Sequence, residues 1–178
     1  MDSINAQQPE ENTKNLEGTE AWKKAKELAE KADSCFFCTN LKTGLPFNTR
    51  PMSPQKIDDN GDFWFLSAND SVKNADIKTD PMVQLLFQGS AHSDFLNIYG
   101  IAELSEDKAL IDELWQPILK TWFTEGKDDP RISVIKITPT VGYYWDNKNG
   151  NAIAAIKMLA GAITGQTLDD SIEGNISI

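Results

Sequence analysis

The chain has 178 residues, 40% of them hydrophobic, and a formal net charge of −10 with a pI near 4.5. That length supports one compact core, and the acidic balance argues against a generic nucleic-acid binder and against attraction to an anionic membrane surface. An acidic chain that handles an anionic ligand must gather positive charge locally, so each Arg and Lys position carries information.

No run approaches the roughly 18 consecutive apolar residues of a membrane span. The start, Met1-Asp2-Ser3-Ile4-Asn5-Ala6-Gln7-Gln8-Pro9, has neither the basic region nor the apolar stretch of a secretory signal, so a cytoplasmic protein is expected. Residues 1–18 are polar and acidic and are expected as a flexible tail. Residues 19–32 read as an amphipathic helix, with Thr19 as its cap and Ala21, Trp22, Ala25, Leu28, Ala29 and Ala32 as its apolar stripe.

Strands are expected over 34–41 and 46–53, around the turn Lys42-Thr43-Gly44-Leu45. A second hairpin joins 55–57 to 62–67 through Asp58-Asp59-Asn60-Gly61, where Asn-Gly is a strong turn signal. Residues 71–79 form a short helix, 82–88 a strand, and 89–93 a turn. The next strand, 95–104, contains Gly100, which marks a bulge or a close backbone approach. A helix start follows at Ser105-Glu106-Asp107-Lys108, with acids where the helix dipole favours them. Pro117 then restarts the chain into Ile118–Phe123, and 125–130 is a loop. Residues 131–138 alternate as a strand, 141–146 extend the sheet edge, 151–162 are helical, and the rest is polar without a strong pattern.

About six strands in antiparallel hairpin order, with helices at the periphery, give a mainly β, α+β fold built on a small barrel. The expected boundaries are a tail over 1–18, the barrel over 19–148, and a C-terminal helix with polar tail over 149–178.

Familiar catalytic constellations are absent. The single histidine, His92, cannot support two-His metal ligation, and neither common glycine-rich phosphate loop occurs. Cys35 and Cys38 fall on a strand, where positions three apart face opposite sides, so they read as ordinary packed residues without a metal role. What remains is a pair of cations. Arg50 lies on a strand ahead of Pro51, and Lys73 follows Ser71 at the start of a short helix. If strands 46–53 and 62–67 are neighbours, these groups converge with free helix N–H groups into an anion site; otherwise Ser71 only caps and Lys73 only meets solvent. Spacing alone favours the plain cap. Four of the five tryptophans, Trp64, Trp115, Trp122 and Trp145, suit either a core or the walls of a planar ligand.

Taken in order, several segments resemble one known family. They are Arg50-Pro51-Met52, Asp62-Phe63-Trp64-Phe65-Leu66-Ser67, Asp70-Ser71-Val72-Lys73 and Asp80-Pro81-Met82-Val83-Gln84-Leu85. Gly100-Ile101-Ala102, Glu113-Leu114-Trp115-Gln116-Pro117, Trp122-Phe123, Gly126-Lys127-Asp128-Asp129-Pro130 and Tyr144-Trp145-Asp146 continue the match. Together they resemble the pyridoxamine 5′-phosphate oxidase-like split barrels, in the general stress protein branch, over roughly residues 20 to 150.

The resemblance implies a six-stranded antiparallel split β-barrel and a homodimer with FMN, or FAD in its place, in clefts at the interface. It assigns the flavin phosphate to Arg50, Ser71 and Lys73. Backbone at Pro51, Met52, Phe65, Leu66 and Ser67 would line the rest of the flavin, and Trp115 or Trp122 would come from the second subunit. The implied activity is a flavin-dependent oxidoreductase or reductase of unspecified substrate, with no catalytic residue nominated. A non-catalytic flavin carrier and a cofactor-free barrel are the alternatives. The chain departs from true pyridoxamine phosphate oxidases, which carry extra basic residues and a C-terminal segment rich in Trp, Gly and Arg. It has no Arg after Arg131, so vitamin B6 oxidation is not part of what the resemblance implies.

Overall fold

The computed structural model describes residues 11–42, 46–164 and 170–178, with only the backbone of 151, 162 and 164. The expected turn residues Thr43, Gly44 and Leu45 therefore lie outside the described residues. The elements are β1 Leu16–Glu17, α1 Gly18–Ala32, β2 Cys35–Thr39, β3 Asn48–Met52, β4 Lys56–Ile57, β5 Phe63–Ala68 and α2 Val72–Thr79. They continue as β6 Met82–Gln88, β7 Phe95–Ser105, α3 Lys108–Leu114, β8 Ile132–Asn147, α4 Asn151–Thr164 and β9 Ser171–Ser177, with 3-10 turns at Pro117–Thr121 and Gly126–Asp128. The result is an α+β fold that is mostly sheet. No helix among the described residues is long and apolar enough to cross a membrane.

These elements form two compact units. One combines Asp33–Leu86 with Ile98–Thr140; the other holds the described parts of Met1–Ala32, Phe87–Asn97 and Val141–Ile178. β6, β7 and β8 each contribute residues to both units.

In the unit containing Asp33–Leu86, the strands run β3-β2-β6-β7-β8, and β5 joins β8 from Phe63 opposite Ile137 to Ala68 opposite Ile132. The run Phe63-Trp64-Phe65-Leu66 is apolar throughout because β5 is covered on both faces. On one face Phe65 meets Phe37 edge-on, with ring centroids 5.3 Å apart. On the other, Leu66 and Val134 pack with Ile111, Leu114, Leu119 and Phe123 beneath α3 and the 3-10 turn that follows. Full burial of each such side chain contributes about 1.5–3 kcal/mol. Gly100 allows a close backbone approach, as its position in a strand suggested: a Cβ there would lie 2.8 Å from the Thr138 carbonyl oxygen.

In the other unit, α1 presses the small residues Ala21, Ala25 and Ala29, with Leu28, into the interior. The end of β8 pairs antiparallel with β9, and β1 runs parallel to β9. Gly174 leaves room for this pairing, since a Cβ would collide with the Lys14 carbonyl.

Several expectations need correcting. Among the described residues the sheet has nine strands, more than the six expected of the barrel, and the β1–β9 pair makes it mixed. Residues 11–17 fell within the expected flexible tail, yet Asn12 and Leu16 are buried and Lys14 bonds to Glu173. Residues 171–177 fell within a polar tail and form β9. Neither segment carries a clear strand pattern: β1 forms by pairing with β9, about 160 residues away, and β9 by pairing with β8 on one side and β1 on the other. The two expected strands 131–138 and 141–146 are one continuous β8. Residues 46–53 do not neighbour 62–67: β3 pairs with β2, and the two-residue β4 takes the place beside β5.

Candidate functional site

The chain leaves β5 at Ser67-Ala68 and enters α2 within four residues. Ser71 has extended backbone (φ −75°, ψ 152°) and its hydroxyl accepts the Asn74 N–H, the geometry of an N-cap. A buried polar network ties this helix start to two strands. Ser67 Oγ donates to Asn74 Oδ1 at 2.8 Å, Asn74 Nδ2 donates to Ser133 Oγ at 2.8 Å, and Ser133 Oγ returns to the Ser67 carbonyl at 3.1 Å. Each buried donor is satisfied, so the Ser71 hydroxyl is held on a rigid base. Lys73 Nζ approaches that hydroxyl at 3.3 Å.

Arg50 arrives from the other direction. The register sets Phe37 opposite Arg50 and Thr39 opposite Asn48, so Arg50, Thr39 and Asn48 share one face of the β2–β3 ribbon. Arg50 Nη1 donates to Thr39 Oγ1 at 2.8 Å, and Nη2 lies 3.8 Å from Asp76 Oδ2. Asp76 sits three residues beyond Lys73, on the same side of α2.

The charges here are unbalanced. Burial first, and then the nearby Arg50 charge, hold the Lys73 ammonium below its ordinary value against the opposing pull of Asp70. Burial likewise lowers Arg50, although Asp76 and Cys38 oppose the shift. Burial raises the Asp76 carboxyl, but hydrogen bonds from Thr39 and Asn48 and the Arg50 charge outweigh it and leave the group below the usual carboxylate range. Among the described residues Lys73 has no ion-pair partner.

Arg50, Ser71 and Lys73 thus come together, with Ser67 directly behind Ser71 at 3.3 Å. The convergence runs through β2 and α2, whereas the sequence reading routed it through neighbouring strands 46–53 and 62–67. Pro51 is exposed and Met52 part-buried on β3. The Phe65 and Leu66 side chains are committed to the core, so only their backbone is available to a ligand. Trp115 packs against the Leu66 cluster, with its ring 6.4 Å from Phe123, while Trp122 is 64% exposed. Neither tryptophan is a hydrogen-bond or charge partner of Arg50, Ser71 or Lys73. Thr39, Asn48, Asn74, Asp76 and Ser133 were not singled out from the sequence. Their signals are an i,i+2 pair on a strand (Asn48, Arg50) and an i,i+3 pair on a helix (Lys73, Asp76).

A second charged cluster lies in the other unit, around a depression of about 470 Å³ that includes Lys24, Lys31, Asp94 and Asp146. Lys24 bonds Asp146 at 2.8 Å and Glu27 at 3.0 Å, and Lys31 bonds Glu27 at 2.9 Å and Asp94 at 3.0 Å. Burial lowers Lys24, but its acidic partners more than reverse the shift. Both lysines of this cluster are thus paired with carboxylates.

The family model for pyridoxamine 5′-phosphate oxidase-like proteins matches residues 20–169. The chain belongs to the pyridoxamine 5′-phosphate oxidase-like family. Its curated relatives include a general stress protein. The chain is 28% identical over 76 residues to general stress protein 26 of Bacillus subtilis, a match covering 41% of this chain and 54% of that protein. It is 26% identical over 113 residues to protein bli-3 of Neurospora crassa, covering 59% of this chain and 54% of that protein. The match thus spans about half the length of these curated relatives.

Among solved structures, one from Jannaschia sp. CCS1 assigned to general stress protein 26 superposes with a TM-score of 0.74 at 23% identity, covering 90% of this chain and all of that one. The general stress FMN/FAD binding protein of Xanthomonas citri superposes with a TM-score of 0.56 at 25% identity, covering 68% of this chain and 85% of that one.

Proposed function

We propose that the chain binds FMN and acts as a flavin-dependent oxidoreductase of the general stress protein type in the cytoplasm. In this reading a six-stranded split barrel forms part of the nine-stranded sheet and works within a homodimer, with flavin at the interface. The observation that carries the proposal is the pairing of two part-buried cations, Arg50 and Lys73, beside the capping hydroxyl of Ser71.

A phosphate fits this set. It brings a charge of about −1.5 to −2 at neutral pH and strong acceptor oxygens. Lys73, which burial and Arg50 disfavour in its charged form, would then gain the anion it lacks among the described residues. The α2 N-terminus adds unpaired N–H groups and a favourable dipole. Two adjacent cations suit the terminal phosphate of FMN, with both charges on one phosphorus, better than the pyrophosphate of FAD, with its two charges spread over two.

Flavin, once bound, supplies hydride and single-electron chemistry; the residues of this chain bind, orient and screen it. Arg50 and Lys73 neutralise the phosphate, Ser71 hydrogen-bonds it, and the backbone at Pro51, Met52 and Ser67 holds the flavin in register. Trp115 and Trp122 supply apolar surface from the second subunit. A carrier without turnover is the second reading. It is favoured by Asp76, a carboxylate beside the cations that is already committed to Thr39 and Asn48.

The test is to purify the protein, record its visible spectrum, identify any co-purifying small molecule by mass, and titrate FMN. Flavin absorbance or saturable FMN binding is expected. Colourless protein that takes up no FMN overturns the reading. Reduction of bound flavin by NADH or NADPH, faster than that of free flavin, separates the enzyme from the carrier.

A further inference from the structure

An acid beside an anion site is unexpected, because its charge opposes the ligand. Asp76 nevertheless lies 3.8 Å from the Arg50 guanidinium and on the Lys73 side of α2. Its Oδ2 accepts from Thr39 Oγ1 at 2.6 Å and from Asn48 Nδ2 at 2.9 Å. A threonine hydroxyl has one proton to give. With that proton spent on Asp76, Thr39 Oγ1 can offer only a lone pair towards Arg50, and Arg50 Nη1 donates to it at 2.8 Å. Arg50 can only donate, so the chain runs from Arg50 to Thr39 to Asp76, and Asp76 holds the Thr39 hydroxyl with its lone pairs turned to the guanidinium.

We propose that Asp76 is a positioning residue that aims the Arg50 guanidinium at the bound phosphate, acting through the hydroxyl of Thr39. The inference rests on the phosphate reading given above. An arginine is a long side chain with many rotamers, and its rigid fork binds an anion best when already ordered. Thr39 and Asp76 occupy one edge of the fork and leave the remaining N–H groups for the ligand. Asn48 holds the carboxylate from the β3 side, so α2 and the β2–β3 ribbon are fixed to each other at this point.

Positioning and simple charge predict opposite signs, which makes the inference testable. If Asp76 only lowered the local positive potential, its removal would tighten phosphate binding. If it aims Arg50, its removal weakens binding despite the gain in net positive charge.

The experiment measures FMN and riboflavin dissociation constants for the full chain by flavin fluorescence, in wild type, D76A, R50A and D76A/R50A. We expect D76A to weaken FMN about tenfold and leave riboflavin unchanged, the size of one charge-assisted hydrogen bond. In the R50A background the same change should have no further effect. Should D76A lose its fold by circular dichroism, T39V removes only the connecting hydroxyl and should give the same FMN-specific loss. Unchanged or tighter FMN binding in D76A or T39V overturns the role of Asp76, as does an equal loss with and without Arg50. Wild-type protein that fails to prefer FMN over riboflavin overturns the phosphate reading, and the Asp76 role with it.

Discussion

The cluster of Lys24 and Lys31 with Asp94 and Asp146, and that of Arg50 and Lys73 with Asp76, reach opposite electrostatic ends. Around Lys24 and Lys31 each cation has carboxylate partners within 3.0 Å, and Asp94 and Asp146 are buried beneath them. Around Arg50 and Lys73 the only carboxylate in ion-pair range among the described residues lies 3.8 Å from Arg50 and is bound more tightly by two neutral side chains. The first cluster uses charge to fasten helix α1 to β8 and the β6–β7 turn. The second holds an excess of positive charge in a protein whose net charge is −10. Counting charges does not separate the two; which groups are already paired does.

The largest effect should come from breaking the closed cluster. Asp146→Ala leaves Lys24 part-buried with only Glu27 as partner. Loss of a buried ion-pair member costs about 3–5 kcal/mol when nothing replaces it. Glu27 and the partial exposure of Lys24 reduce this to about 2 kcal/mol, a fall in Tm of about 4–8 °C on a chain this long. FMN affinity should not change. Thermal melts with and without flavin check both statements, and a large flavin effect would mean the two clusters share a function.

Next in size is Ser71→Ala, which touches both the fold and the open cluster. Loss of an N-cap costs about 1 kcal/mol. The capping bond to Asn74 is long, at 3.4 Å, so the stability loss should be at or below that figure. Weaker FMN binding with unchanged riboflavin binding should accompany it. A stability loss alone would reduce Ser71 to the plain cap that spacing favoured.

A smaller effect follows from pH. The Lys73 ammonium is held below its ordinary value of 10.5, so between that lowered value and 10.5 the unfolded chain binds more protons than the folded one. Stability of the flavin-free protein should therefore rise with pH across that window. A bound phosphate needs the charged ammonium, so FMN affinity should fall as pH rises there, by less than about tenfold. Riboflavin affinity should stay flat, and Lys73→Met should abolish the FMN slope. Fluorescence titrations from neutral pH upward provide the check.

The smallest effect is expected at Lys56, which pairs with Glu113 at 2.6 Å on the open surface. Exposed pairs of this kind contribute little. Lys56→Ala should leave both the melting temperature and FMN affinity within error. A measurable loss of FMN affinity would show that proximity to Arg50 and Lys73 is not what gives a cation its role.

Much of the local structure was legible in the sequence. The Asn60-Gly61 hairpin, the α1 stripe and the Ser71 cap follow from residue chemistry within a few positions. Gly100 carried its own warning of a close approach. The family resemblance named Arg50, Ser71 and Lys73, which the fold brings together. What could not be read was set by long-range pairing. The two-residue β4 shifted β3 away from β5, and no local pattern in Lys56-Ile57 announces it. β1 and β9 are nearly 160 residues apart in sequence and too short to alternate clearly. Asp76 looked like one more acid on a short helix, because its meaning depends on Thr39 and Asn48 lying opposite each other in the β2–β3 register.

The central claim is that Arg50 and Lys73 form a phosphate seat. Its most direct test is the ratio of riboflavin to FMN dissociation constants, measured on wild type and on the Arg50→Ala, Lys73→Ala double variant under one buffer. The claim predicts that wild type prefers FMN by about a hundredfold, as two charge-assisted contacts would give, and that the double variant holds both ligands equally. A ratio that is the same in the two proteins would contradict it.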